Sequence, residues 1–263
     1  MYQFNYHRPD SVRKAAALLA KHEDAKLLAG GHTLLPTMKQ RLASPSDIVD
    51  LSGIADLSGI EMKGRTLHIG AMTRHCEVAE SAVVREAIPA LAKLASGIGD
   101  PHVRHRGTIG GSIANNDPNA DYPAACLGLG ATIVTNKRRI HADEFFTGMF
   151  ETALEPGEII TKVLFPVPRQ AGYAKFANPA SRYALVGVFV SKRGGEVRVA
   201  VTGAGPVVFR VPVFEAALAK RFAPKALDGL AVPADGLNSD IHGSAEYRAN
   251  LVAVMAKRAV AAA

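Results

Sequence analysis

Two glycine pairs hold the residues of this chain best suited to gripping a ligand. Ala29-Gly30-Gly31-His32-Thr33 and Thr108-Ile109-Gly110-Gly111-Ser112 each follow a short apolar segment, and a hydroxyl residue comes soon after the glycines. A pyrophosphate is held by several backbone N–H donors converging at close range, an approach that a Cβ obstructs and that glycine conformations permit. Charge-assisted bonds of this kind contribute about 1.5–3 kcal/mol each, so two such loops can hold a dinucleotide without a lysine. A single glycine pair is as readily an ordinary turn. Two similar loops in one chain shift the balance toward a ligand without settling it.

Behind the second pair stand Asn115, Asn116, Asp117, Asn119 and Asp121. They suit hydrogen bonds to a ribityl or ribose chain, and equally the side-chain turns that form around a proline such as Pro118. Tyr183 follows Asn178-Pro179-Ala180-Ser181-Arg182 and opens an apolar run. It is placed either to stack on a flat ring or to begin a half-buried strand. Other chemistries lack their residues. Neither glycine pair matches GxGxxG, and no P-loop, HExxH or GxSxG is present, so no catalytic residue is assigned. His102 and His105 are flanked by Arg104 and Arg106, which oppose a metal ion, so no metal site is assigned. Cys76 and Cys126 lie too far apart for a CxxC pair, and two thiolates do not hold an iron–sulfur cluster.

The elements that position these residues follow from periodicity. Val12, Ala15, Ala16 and Leu19 predict a helix capped by Asp10 or Ser11. With the runs 26–29 and 48–51 it makes a small β-α-β-β-like unit ending near residue 54. In the middle, 66–71 and 159–165 read as strands, with a third at 131–135 turning at Asn136-Lys137. Thr73 is placed to cap the next helix. A helix over 81–95 breaks at Pro89, and 97–107 reads as a basic loop. Strands 183–191 and 196–202 join through Gly194-Gly195, a strong hairpin signal, and 207–211 adds a third. Helices are expected at 213–221 and at 245–262, the latter with Tyr247, Leu251, Val254, Met255 and Arg258 on one stripe. The economical reading is α+β, ending in an antiparallel sheet with helices on one face.

The chain has 263 residues, 48% apolar and 21% charged, which excludes a mainly disordered chain. No run approaches the length of a membrane span, and the N-terminus lacks the hydrophobic block of a secretory signal. The net charge of +7 comes from scattered residues, with no basic helix or nucleic-acid signature, so no nucleic-acid partner is expected.

Taken with their surroundings, these motifs resemble one family closely. Ala29-Gly30-Gly31-His32-Thr33-Leu34-Leu35-Pro36 is followed by Lys39-Gln40-Arg41-Leu42, and Thr108 to Asn115 by Asp117-Pro118 and Ala120-Asp121. Leu237 to Arg248 completes the likeness over nearly the whole chain. The sequence resembles the FAD-binding medium subunits of the molybdenum hydroxylases, those of the aerobic carbon monoxide dehydrogenase branch above all.

That resemblance implies a two-subdomain FAD-binding fold of the vanillyl-alcohol oxidase and p-cresol methylhydroxylase type plus a C-terminal α+β domain, divided at 1–54, 55–170 and 171–263. It implies that Leu28, Ala29, Gly30, Gly31, His32, Thr33 and Leu34, with Thr108, Ile109, Gly110, Gly111 and Ser112, surround the pyrophosphate. Asn115 and Asp121 would bond the ribityl or phosphate region. Ile160 would lie on the adenine side, Lys175 near the ring, and Tyr183 against one isoalloxazine face. It further implies a small iron–sulfur subunit and a large molybdopterin-binding subunit as partners, in a dimer of heterotrimers. Electrons would reach the FAD from the clusters and leave to quinone, NAD+ or oxygen, in the cytoplasm or at the inner face of its membrane. His102 and His105 depart from the Gln and Asn common in the family, and the cysteine-bearing loop of the 4-hydroxybenzoyl-CoA branch is absent. Two other readings stand beside this one: a free-standing flavin oxidoreductase of the same fold, whose substrate acid or nucleophile residues 171–263 do not supply, and a binding or assembly module without cofactor.

Overall fold

A computed structural model describes residues 1–263. The first unit is built on a three-stranded parallel sheet, in the order β1-β3-β2. Its elements are β1 (Asn5–His7), α1 (Val12–Lys21), β2 (Lys26–Leu28), α2 (Leu34–Lys39) and β3 (Asp47–Asp50). Ser11 caps α1 by accepting from the Lys14 N–H. The sequence reading lacked β1, a three-residue edge strand too short to show alternation, and α2, whose single turn and a half has no clear period. Ala15, Val49, Leu51 and Ile54 form a small core under α1.

The second unit holds a five-stranded sheet, β4-β5-β10-β6-β7, beside a layer of short helices. In chain order these are β4 (Ile60–Lys63), β5 (Thr66–Gly70), α3 (His75–Glu80), α4 (Ala82–Ala87), α5 (Pro89–Ser96), α6 (Pro101–Arg106), α7 (Ile109–Asn115), α8 (Tyr122–Leu129), β6 (Thr132–Thr135) and β7 (Arg139–His141). A helical turn α9 (Ala142–Phe145) and a hairpin of β8 (Phe146–Gly148) and β9 (Glu151–Thr152) lead to β10 (Ile160–Pro166). The helix break at Pro89 separates α4 from α5, as expected. Two local expectations are corrected. Thr73 does not cap α3; its hydroxyl bridges the N–H and carbonyl of Gly59, while Glu77 reaches back to the Arg74 N–H at 2.7 Å. The segment 97–107 is not all loop, because Asp100 accepts from the Val103 N–H and Pro101 starts α6, whose last turn carries Arg104, His105 and Arg106.

The third unit is an antiparallel sheet of β11 (Gln170–Ala177), β12 (Ala184–Arg193), β13 (Glu196–Thr202) and β14 (Phe209–Arg210), with α10 (Pro212–Lys220) and α11 (Ala245–Ala261). The expected hairpin at Gly194-Gly195 joins β12 to β13, with Arg193 paired to Glu196. The strand expected over 207–211 shrinks to two residues, since Pro206 before it has no N–H for the ladder and Pro212 after it starts a helix. Helices cover both faces of this sheet rather than one. Val188 and Val190 point to the core under α10 and α11, whereas Tyr173, Phe189 and Ala200 join the core of the second unit. Alternation on β12 therefore disappears, as in any strand buried on both faces.

Candidate functional site

A cleft of about 760 Å³ runs where the three units meet. Its first wall is the turn after β2. Gly31 there has φ +76°, a left-handed conformation that favours glycine, and Gly30 packs so closely that a Cβ would lie 2.3 Å from the Arg106 carbonyl oxygen. The four amides from Gly30 to Thr33 donate no hydrogen bond within the chain. Such donors are satisfied by water or by a ligand.

The second glycine pair is built differently. Thr108 is the N-cap of α7, so Gly110 and Gly111 lie in a helical turn, not a loop. Its amides are committed: Ile109 N–H donates to the Thr73 carbonyl, Gly110 N–H to that of Ala71, and Gly111 N–H to Thr108 Oγ1. Convergent free donors therefore come from the first pair alone. What the second contributes is thinness, because Gly110 packs against Ala71 and Gly111 faces Ala29. This lets the start of α7 stand close beside the first turn.

Of the residues expected at the site, the cleft is lined by Ala29, Gly30, Gly31, His32, Thr33 and Leu34, by Thr108, Gly110, Gly111 and Ser112, and by Asn115, Asp121, Ile160 and Tyr183. Three are not on its wall. Leu28 packs behind Gly31, Ile109 is wholly buried in the core, and Lys175 turns into the protein, bonding Asp121 and the carbonyls of Gly97 and Arg182. Tyr183 precedes β12 and is 46% exposed, at the end of a turn in which Arg182 has φ +62°. Asp121 is buried, and the Tyr173 hydroxyl donates to it. Burial pushes its pKa up, opposed by Lys175 and Tyr173.

The sequence reading missed His75 and Glu158, both of which line the cleft. Burial opposes ionisation of Glu158, but hydrogen bonds from Arg138, the Glu155 N–H and Thr135 outweigh it and hold its carboxyl at about 2. Burial also drives His75 down to about 4, helped by the nearby positive charges of His32 and Arg104. Neither His75 Nδ1 nor the Tyr122 hydroxyl, whose ring centroid lies 5.3 Å away from that of His75, has a partner in the protein. The unfolded His75 imidazole takes a proton below pH ~6.5, and the folded one resists to about 4. Stability therefore falls as pH is lowered through that window, by at most about 3 kcal/mol. Urea unfolding at both ends of the window is expected to show a shallower pH slope for His75→Gln than for the native chain; equal slopes would refute it.

The chain has known relatives over its whole length. Residues 2–168 match the family described as "FAD binding domain in molybdopterin dehydrogenase". The carbon monoxide dehydrogenase medium chain of Hydrogenophaga pseudoflava is 38% identical, over 99% of this chain and 97% of its own. The nicotine 6-hydroxylase medium subunit of Paenarthrobacter nicotinovorans is 37% identical, over 97% and 95%. Among solved structures, reconstituted CO dehydrogenase from Oligotropha carboxidovorans superposes with a TM-score of 0.89 at 36% identity, covering 100% of this chain and 98% of the chain matched. No helix is long and apolar enough to cross a membrane. The chain belongs to the FAD-binding subunits of the molybdopterin dehydrogenases, a flavoprotein component of an oxidoreductase.

Proposed function

We propose that this chain holds FAD along the cleft and acts as the electron-transfer subunit of a molybdenum hydroxylase of the carbon monoxide dehydrogenase type. Its partners would be a small iron–sulfur subunit, from which electrons arrive, and a large molybdopterin-binding subunit, in a dimer of heterotrimers. The external acceptor would be quinone, NAD+ or oxygen. The observation that carries this reading is the run of free amides from Gly30 to Thr33, set beside the thin glycine face of α7.

In this reading those amides take the pyrophosphate, and Ser112 and Asn115 supply further polar groups from α7. Ile160 offers an apolar wall to the adenine side, and Tyr183 covers a face of the isoalloxazine. The divisions at 54/55 and 170/171, the latter one residue inside β11, part the chain into the units that bring these groups together. Bound FAD supplies one- and two-electron chemistry, while the protein supplies position and electrostatics. No acid or base on this chain is needed for that task. The net charge of +7 favours docking against an acidic partner surface.

Relatives of nearly equal similarity carry names for carbon monoxide and for nicotine. Likeness in this subunit therefore does not track the compound transformed, which supports placing substrate recognition on another subunit. The test is a visible absorption spectrum of material pulled down through a tag on this chain in its native host. Flavin bands on broad iron–sulfur absorption are expected. Flavin bands alone would favour a free-standing flavoenzyme, and colourless material would sink the FAD reading.

A further inference from the structure

Away from the cleft, the face of the parallel sheet covered by α1 carries a polar cluster that flavin binding does not use. Asp47, at the start of β3, has a side chain only 3% exposed. His7 Nε2 lies 2.6 Å from its Oδ1, and His22 Nδ1 lies 3.3 Å from its Oδ2. The two imidazoles stack with centroids 5.7 Å apart. One donor atom from each of the three residues falls within 4.8 Å of the others.

We propose that His7, His22 and Asp47 form a binding site for a single divalent transition ion of the zinc class. Two imidazole nitrogens and a carboxylate oxygen are the donors such borderline ions select, whereas magnesium and calcium prefer oxygen alone. Zinc holds nitrogen and oxygen at about 2.0–2.2 Å, so donors around one ion lie roughly 3–4 Å apart. Small rotations of the two rings reach that spacing, and both rings are partly open to solvent.

The backbones that carry the ligands are fixed. His7 pairs with Val49 across β1 and β3. His22 closes α1, its N–H donating to the Leu18 carbonyl and its own carbonyl accepting from Ala25. Ser46 Oγ donates to Asp47 Oδ2 at 2.8 Å, the kind of outer hydrogen bond that orients a carboxylate ligand. The exposed ring edges leave the remaining coordination positions to water. None of the three residues lines the cleft. The ion would tie β1, the end of α1 and β3 together, making the N-terminal edge strand its main beneficiary.

The full chain, carrying its flavin and stripped of metal by a chelator, is titrated with zinc chloride alone and followed by calorimetry and thermal unfolding. The His22→Gln variant is measured beside it. Its folding is verified by native flavin absorbance and by native melting in chelator, and His7→Gln gives a second reading should it misfold. The expected result is one ion per native chain and a zinc-dependent rise in melting temperature. The variant should bind roughly tenfold or more weakly and lose that rise. Absence of stoichiometric zinc binding by the native chain overturns the proposal. So does equal binding with an equal thermal shift in the variants, which would place the ion on other side chains.

Discussion

Gly30→Ala is expected to purify largely without flavin and to melt roughly 6–12 °C below the native chain, a shift that corresponds to about 3 kcal/mol. The cause is steric and local. The added methyl would stand 2.3 Å from the Arg106 carbonyl oxygen and 2.8 Å from Gly107 Cα. Both are backbone atoms, at the end of α6 and at its C-cap just before α7, so no flexible side chain can swing aside. Relief must come from moving one glycine segment away from the other. In the proposed site, that movement withdraws the free amides from the pyrophosphate. Losing even two charge-assisted bonds, at about 1.5–3 kcal/mol each, weakens binding at least a hundredfold. Gly195→Ala is the control, because a Cβ there meets nothing within 4 Å and the backbone is not left-handed. Flavin-to-protein absorbance ratios and melting curves decide the matter. A Gly30→Ala protein with native flavin content would show that the first turn does not grip the cofactor.

The same pair of motifs shows what could and could not be read from sequence. Glycine pairs, the hairpin at Gly194-Gly195 and the break at Pro89 are local features, set by φ preferences and a missing N–H, and the chain carries them wherever it folds. Which amides stay free is not local. Gly110 loses its donor to Ala71 and Ile109 to Thr73, two partners far back in the chain that only the tertiary arrangement supplies. The face of α11 failed for a related reason. Periodicity put Tyr247 and Arg258 on one stripe with Leu251 and Met255, yet only the latter two are buried, Tyr247 is 42% exposed, and the buried cation is Arg248. Arg248 donates to the carbonyls of Leu185 and Gly203 and pairs with Asp240. A guanidinium that finds such acceptors can occupy a core position, and hydrophobic pattern alone cannot register it. β11 was missed for the same reason, since Tyr173 and Lys175 share one face of it and the lysine holds a buried place there only because both reach Asp121.

Lys175→Met is expected to destabilise the folded chain by about 3–5 kcal/mol, the usual penalty for removing one partner of a buried ion pair. Lys175 Nζ lies 2.9 Å and 3.1 Å from the two Asp121 carboxylate oxygens, with 10% and 3% of the two side chains exposed. It also donates to the carbonyls of Gly97 at 2.8 Å and Arg182 at 2.9 Å. Methionine fills the volume but satisfies none of these acceptors. Asp121 keeps only the Tyr173 hydroxyl and is left as a buried anion. Burial already raises its pKa, and the charge of Lys175 is the strongest influence holding it down; without that lysine its pKa climbs further. A carboxyl raised above its unfolded value weakens the fold as pH climbs through the folded pKa. The deficit of the variant should therefore widen toward neutral pH and shrink in acid. Denaturant melts across that range measure it. Adding Asp121→Asn should recover part of the loss, because the buried charge is then gone. Loss of the Arg182 anchor also frees the turn that sets Tyr183 against the cleft, so the flavin spectrum should shift in the single variant. A deficit that is independent of pH and unrelieved by Asp121→Asn would mean that Lys175 acts through packing alone.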